Sequence, residues 1–186
     1  MLKTKSVTVS LGFVGDHDIM STENVSVTLV KPITAPVLVP VLHASTPTCI
    51  NDPFMVDGEC YKVTAMSFGT PHGAVFVDDL DNTDVASIGP SLGMHALFPQ
   101  GASIVFIQSI DKETIKARLW QRGEGEIPFT AEAACVAGTA AMMCQKVLFS
   151  ETNVVMDDIT FHMKWDRARE GVTLTGPANM IYGQLD

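Results

Sequence analysis

Basic side chains are scarce: 12 Lys and Arg stand against 21 Asp and Glu, a formal net charge of −9. Phosphate recognition needs a basic face, so this balance excludes nucleic acid as a partner, and an anionic membrane surface with it. Long apolar runs are also lacking. The longest, around Ala35–Leu42 and Ala133–Phe149, are too short or too interrupted for the roughly 20 apolar residues of a membrane span. The start, Met1-Leu2-Lys3-Thr4-Lys5, is basic enough for a signal peptide, but Ser6–Leu11 alternates like a strand and no apolar core follows. A cytoplasmic location is therefore expected. Cysteine is limited to Cys49, Cys60, Cys135 and Cys144, with no pair at zinc-ligand spacing. Reduced thiols are expected, because a chain this rich in core residues needs no disulfide staples. Ser/His/Asp sets, metal clusters and phosphate loops do not stand out, and Gly123-x-Gly125 alone is too short to mean nucleotide binding.

What is present is apolar content, 46% over 186 residues, spread along the whole chain. That is enough to bury a core. Without repeats, low-complexity segments or linkers, the expectation is a single domain over residues 1–186. Period-two alternation marks strands at Ser6–Leu11 and Asn24–Val30, with a turn-rich Gly12–Thr22 between them. Pro32, Pro36 and Pro40 reduce the run that follows to an edge strand or extended segment. Ser45–Gly58 reads as a loop. Strands follow at Tyr61–Ser67 and Gly73–Val77. Thr83–Ile88 reads as a short helix capped by Asn82 or Thr83, broken at Gly89-Pro90 and followed by a second turn over Ser91–Leu97. Ser103–Ile110 and Thr114–Trp120 form a hairpin, as do Asp158–Lys164 and Gly171–Thr175; Ala178–Gly183 is a last short strand. The long helix is Ala133–Phe149, small and apolar nearly all round, hence buried on most sides. Many strands with a single central helix predict an α+β fold, a mainly antiparallel, β-barrel-like sheet wrapped around that helix.

The chain turns on residues 120–135, WQRGEGEIPFTAEAAC. A strand enters, a helix leaves, and glycine and proline lie between. Backbone N–H groups at such a helix start attract anions, carboxylates included.

Several motifs stay in register from about Val63 to Gly183. Phe68-Gly69-Thr70-Pro71-His72-Gly73-Ala74-Val75-Phe76-Val77 resembles the diaminopimelate epimerase segment G-N-P-H-x-V-x-F-V. Ile88-Gly89-Pro90 and Phe98-Pro99 recur at matching distances. Arg122-Gly123-x-Gly125-Glu126 resembles E-R-G-x-G-E, and Val172-Thr173-Leu174-Thr175-Gly176-Pro177-Ala178 resembles V-x-L-T-G-P-A. Val7–Gly12 is similar to the strand that opens the family's second half.

The resemblance implies a cofactor-independent amino-acid racemase or epimerase fold of two similar halves, of which this chain matches the second. It implies an isomerase of lysine biosynthesis, a small amino-acid substrate, no cofactor and no metal. In the family, a cysteine from each half faces the substrate α-carbon; one thiolate removes the proton and the other thiol returns one. Aligned residue by residue, Thr130 occupies the cysteine position, with Ala131 and Glu132 after it. Gln121 stands for the Glu before Arg122, Thr70 for the Asn of G-N-P-H, and Ser103 for the Asn after F-P. Thr70, His72, Ser103, Gln121, Arg122, Ala131 and Glu132 are thus the candidate substrate-binding residues, and Thr130 the candidate catalytic position. A threonine hydroxyl is too weak an acid to replace a thiolate, so the chain alone is expected not to perform two-base epimerisation. Whether it is an enzyme is left open. The alternatives are a non-catalytic binding or scaffold module, or a dehydratase- or isomerase-type relative working with a separate first half. A homodimer, or pairing with a separate N-terminal half, is expected.

The same residues have plainer readings. Thr130 reads as a helix N-cap. Arg122 either clamps a carboxylate or bridges to Glu124, Glu126 or Glu132. His72 is a site residue or a satisfied histidine at a strand start, with Gln121 as its hydrogen-bond partner. Glu126 reads as a cap for the turn. Cys135, about 140° round the helix from Thr130 at roughly 100° per residue, reads as core, as does Cys144.

Overall fold

The computed structural model describes residues 10–11, 24–29, 31–42, 46–147, 150–168 and 171–177. The strands are β1 (Ser10–Leu11), β2 (Asn24–Leu29), β3 (Asp52–Val56), β4 (Glu59–Ser67), β5 (Pro71–Phe76), β6 (Ser103–Ser109), β7 (Thr114–Gln121), β8 (Gly125–Ile127), β9 (Glu151–Met156), β10 (Ile159–Asp166) and β11 (Gly171–Pro177). Two helices, α1 (Val85–Gly93) and α2 (Ala131–Met143), complete the described elements. They form one 11-stranded sheet in the order β1-β2-β11-β10-β9-β7-β6-β5-β4-β3, with β8 paired to β7 beside that path. It is mostly sheet and open at β1 and β3, so the predicted α+β class holds, with edges rather than closure.

Most joins are antiparallel. The exceptions among the described strands are β5–β6 and β7–β9. A parallel join needs a crossover, because a tight turn cannot bring the chain back in the same direction. Each helix sits in one of these crossovers, α1 between β5 and β6, α2 between β7 and β9. This places α1 and α2 on separate cores. Ala74, Val105 and Leu119 pack with α2. Val75, Ile104 and Trp120, on the other sheet face, pack with Val85 and Leu92 of α1.

α2 carries the small residues that make close approach possible. Ten of its residues, Ala133 through Met142, are buried. At Gly138 an added Cβ would lie 2.3 Å from the Met163 sulfur, so glycine lets β10 reach the helix backbone. α2 also stops earlier than its sequence suggests. Gln145 takes a left-handed φ of 57°. The Lys146 N–H then reaches back to the Ala141 carbonyl at 2.8 Å, and the Gln145 N–H to that of Met142 at 3.3 Å. That double bond pattern closes a helix C-terminus, and residues 144–146 belong to the cap rather than to the helix.

Other expectations need correction. α1 is one helix capped by Asp84, whose carboxylate accepts from the Ser87 N–H at 3.1 Å. It runs through Gly89-Pro90 instead of breaking there. Its Gly89 and Gly93 back onto the Trp120 ring, where added Cβ atoms would approach to 2.4 and 2.3 Å. Packing against Trp120 outweighs the carbonyl that Pro90 leaves without its helical donor. The expected loop Ser45–Gly58 contains β3, hairpinned to β4 across Asp57-Gly58, both at positive φ. That pair is a strong hairpin signal, and Pro53 is tolerated because β3 is an edge. β8 and β9 were not anticipated. β9 turns into β10 through Asp157-Asp158, also both at positive φ. Among the described residues the proline-spaced run bridges once, Ile33 to Ser67, and then turns, with the Val41 N–H on the Pro36 carbonyl. The expected strand over 6–9, the turn-rich 12–22 and the strand Ala178–Gly183 lie outside the described residues. Among the described residues no helix is long and apolar enough to cross a membrane.

Candidate functional site

Three neighbouring strands set a row of polar side chains below the start of α2. His72 is the register partner of Ser103 across β5–β6. The β6–β7 ladder pairs Ile104 with Trp120, and one step further puts Gln121 opposite Ser103. Directly paired residues share a sheet face, and here it is the face of Ala74, Val105 and Leu119, toward α2. From the other direction, Thr130, Ala131 and Glu132 open α2. The candidate residues, far apart in sequence, are therefore brought to one place.

Thr130 caps the helix. Its backbone is extended (φ −138°, ψ 155°) and its Oγ1 accepts the Ala133 N–H at 3.0 Å. The plainer reading of Thr130 is thus realised in the geometry. Ala131 and Glu132 follow, half-buried, in the first turn. Glu132 Oε2 accepts the Thr70 hydroxyl at 2.9 Å. A carboxylate in the first turn is favoured by the helix dipole, and this one links the end of β4–β5 to the start of α2.

His72 is 1% exposed. Its Nδ1 lies 3.0 Å from the Thr70 carbonyl oxygen. A carbonyl only accepts, so Nδ1 carries the proton and a neutral ring has a lone pair at Nε2. Burial pushes the imidazole pKa below its ordinary 6.5; the Thr70 carbonyl and the Glu132 charge pull the other way and are outweighed. Nε2 has no hydrogen-bond partner, nor has the buried Gln121 Oε1. The expected His72–Gln121 hydrogen bond is therefore not formed. Strand spacing explains it: two strands apart, their Cα atoms stand roughly 10 Å from each other. Ser103, between them, is 3% exposed and accepts the Arg122 N–H at 3.2 Å.

Arg122 reaches away from the row. Its Nη1 donates to the Gln100 carbonyl and, at 3.4 Å, to that of Gly101. Of the two readings of Arg122, the bridge to Glu124, Glu126 or Glu132 is not formed among the described residues, and its Nη1 is held by backbone carbonyls instead. Glu126 is taken by Arg118, at 2.7 Å from both Nε and Nη2, so it holds a neighbouring strand rather than capping the turn. The other Arg118 nitrogen, Nη1, donates to the Leu80 and Thr83 carbonyls. Sequence reading passed over Arg118, which stands on a regular strand and belongs to no motif.

The thiols lie elsewhere. Cys135 is fully buried, and burial followed by the Glu132 charge pushes its pKa well up. Cys49 is raised to about 12, first by burial and then by its contact with Asp52. Neither is a thiolate near neutral pH. Cys144 meets Thr64 and Asn51 at 3.5 and 3.6 Å, away from the row. A cleft of about 430 Å³ lies outside the row, lined by Leu80, Lys116, Arg118, Glu126, Pro128 and Asp157 among others. It contains none of the candidate residues.

The sequence profile described as Diaminopimelate epimerase matches residues 64–181. Similar curated proteins include Diaminopimelate epimerase of Oceanobacillus iheyensis, 32% identical over 160 residues and matched across 84% of this chain and 55% of that protein. Diaminopimelate epimerase of Methanococcus maripaludis is 32% identical over 174 residues, 90% of this chain and 62% of that protein. The chain thus spans 55% to 62% of the length of these relatives. Among solved structures, a Bacillus anthracis phenazine biosynthesis protein of the PhzF family superposes with a TM-score of 0.52 at 16% identity, covering 92% of this chain and 61% of that one. A hydroxyproline epimerase from Agrobacterium vitis gives 0.54 at 12% identity, covering 83% and 49%. At such identities these two speak for the fold alone.

Proposed function

Since the chain belongs to the diaminopimelate epimerase family, we propose that it is an epimerase-type module of amino-acid, specifically lysine, biosynthesis that does not by itself carry out two-base proton exchange. The observation that supports this is Thr130. In the family the corresponding cysteine supplies a thiol at the helix start. Here that position holds a hydroxyl already committed to the Ala133 N–H. An alcohol lies several pKa units above a thiol and offers no usable base near neutral pH. The buried thiols cannot substitute, because burial keeps them protonated.

The test is proton exchange at the α-carbon. The purified chain is incubated with diaminopimelate in deuterated water, and loss of the α-proton signal is followed by NMR. The expected outcome is exchange at the buffer rate for the chain and for Thr130→Ala alike. Exchange above that rate, abolished by Thr130→Ala, would overturn the reading.

A second reading is a binding or scaffold module that pairs with a separate first half or with itself. It is favoured by apolar exposure at Val37 (84%), Leu38 (64%), Leu42 (59%) and Met94 (68%). The Leu42 N–H bonds to the Leu97 carbonyl, tying the two segments together. Patches of this kind mark association surfaces. A strictly monomeric chain in sedimentation, with no partner captured, counts against it.

A further inference from the structure

His95 follows the end of α1 and engages both of its ring nitrogens. Nδ1 lies 3.2 Å from the Leu97 backbone nitrogen, and Nε2 lies 3.2 Å from the Met55 carbonyl oxygen. A backbone N–H only donates and a carbonyl only accepts, so Nδ1 offers a lone pair and Nε2 carries the proton. Two independent contacts thus specify one tautomer of a neutral ring. It is the opposite tautomer to that of His72, whose Nδ1 faces a carbonyl. The ring is half-buried and packs on Phe54, with centroids 4.9 Å apart.

These bonds tie three segments together. Nδ1 reaches two residues along its own chain and closes a turn, as Asn and Asp side chains do elsewhere. The Phe98 N–H closes the same turn on the His95 carbonyl at 2.8 Å. The Leu97 carbonyl accepts the Leu42 N–H at 2.7 Å, which holds the turn over residues 35–42. Nε2 holds the edge strand β3. Val56 and Glu59 close the two-residue hairpin turn, so Met55 presents its carbonyl outward, where the His95 ring covers it.

A proton added at Nδ1 acts on one of these bonds only. It turns the lone pair facing Leu97 into a second donor, and two donors cannot share a hydrogen bond. The Nε2–H is unchanged and keeps Met55. Histidine is the side chain whose charge ordinarily changes between about pH 5 and 8. Apart from His95 itself, α1, residues 94–101 and residues 35–42 contain no Asp, Glu, Lys, Arg or His. Asp84 caps the opposite end of α1 on the Ser87 N–H. The β3–β4 hairpin carries Asp52, which engages Cys49, and Glu59, which accepts from the Tyr61 hydroxyl. Asp57, Cys60 and Lys62 are its other titratable groups.

We propose that His95 is a proton-operated clasp for the turn over residues 35–42. Neutral, it holds Leu97 and, through Leu97, Leu42. Protonated, it drops Leu97 and keeps Met55, and the turn bearing Val37, Leu38 and Leu42 loosens from residues 94–98. A partner that reads those apolar side chains then binds more weakly in acid. That corollary rests on the second reading above, and the test of the clasp stands without it.

The test is amide hydrogen exchange of the 15N-labelled full chain at pH 7.5, 6.5 and 5.5, expressed as protection factors to remove the intrinsic pH dependence. The His95 ring is followed in long-range 1H–15N spectra and assigned by its loss in His95→Asn. At pH 7.5 the expected ring has its proton on Nε2. As it titrates, protection of Leu97 and Leu42 falls about threefold or more, the scale of one net hydrogen bond. Protection of Ala102, bonded to the Gly93 carbonyl, stays unchanged. In His95→Asn, whose side-chain oxygen replaces Nδ1 and does not titrate, Leu97 and Leu42 keep their protection at every pH. In His95→Phe, which keeps a ring on Phe54 but no acceptor, their protection is low throughout; if that variant fails to fold, the asparagine comparison decides. His43→Gln, which removes the imidazole next to Leu42 in the chain, leaves the response in place. A ring protonated on Nδ1 at pH 7.5, amides of Leu97 and Leu42 already unprotected there, protection unchanged down to pH 5.5, or an equal fall in His95→Asn each overturns the proposal.

Discussion

Replacing Thr130 by alanine separates a cap from a catalytic group, because the two roles respond differently to the same change. The structure assigns Oγ1 to the Ala133 N–H at 3.0 Å. Loss of a cap of this type costs about 0.5–2 kcal/mol, typically about 1. Here the upper part of the range applies. Ala133 is 0% exposed, so water cannot replace the lost acceptor, and a buried unpaired donor costs about 1–3 kcal/mol. The expected loss is about 2 kcal/mol. For a chain of this size, 1 kcal/mol moves Tm by about 2–4 °C, so Thr130→Ala should melt about 4–8 °C lower. Urea unfolding followed by circular dichroism should show a lower midpoint with an unchanged slope, since the exposed surface is the same. Thr130→Ser, which keeps the oxygen, should stay within about 0.5 kcal/mol of the parent, as serine caps at least as well. Thr130→Val should behave like alanine. An alanine variant as stable as the parent, or a serine variant as unstable as alanine, would refute the capping assignment and reopen Thr130 as a free hydroxyl in the site.

Other perturbations test the surroundings. Gly138→Ala gains about 0.5–1 kcal/mol of helix preference but drives a methyl to 2.3 Å from the Met163 sulfur and 3.2 Å from Thr152 Cγ2. Overpacking of about 1–3 kcal/mol should win, giving a net lower urea midpoint; a gain in stability would mean that β10 yields easily. Stability should also fall as pH drops below about 6.5. Burial, the largest influence, lowers the folded pKa of His72, so between the folded and unfolded values the unfolded chain binds the extra proton. The His72 contribution is complete above the unfolded pKa and is lost toward the folded one, with a slope of at most about 1.4 kcal/mol per pH unit. His72→Gln should flatten that part of the profile in urea midpoints taken from pH 7.5 to 5.5, and an unchanged profile would assign the slope to other groups.

Much of this was legible in local pattern. Alternation located β2, which repeats every two residues, whereas β4, β5 and β6 were legible as apolar runs bounded by turns, because both of their faces are buried over most of their length. The small-residue run located α2, and its start was readable because Thr130 precedes an apolar stretch and caps it as threonine does. The end of α2 was not readable. Gln145 carries no mark of a left-handed conformation, and Val147 still looks like a continuing face. α1 was misread for a similar reason. Gly89-Pro90 is a break by propensity, and only the Trp120 ring behind it makes the helix continue. β9 pairs locally with β10 across Asp157-Asp158, a turn without the glycine that marks most two-residue hairpins, and on its other side with β7, a parallel neighbour reached across the whole of α2. The pairing with β7 leaves no trace in a short window.

The candidate site divides in the same way. Sequence by itself determined its membership: Thr70, His72, Ser103, Gln121, Arg122, Thr130, Ala131 and Glu132 follow from motif positions, and Thr130 from its place before a helix. Tertiary structure decided what each side chain faces. It put Arg122 on backbone carbonyls, joined Glu132 to Thr70, and left His72 Nε2 and Gln121 Oε1 as acceptors with Ser103 between them. The physical reason is that side-chain chemistry and helix or strand period are local properties of the chain. Hydrogen-bond partners and burial depend instead on strands brought together by two crossovers, and no local period encodes which polar atom will be left without a partner.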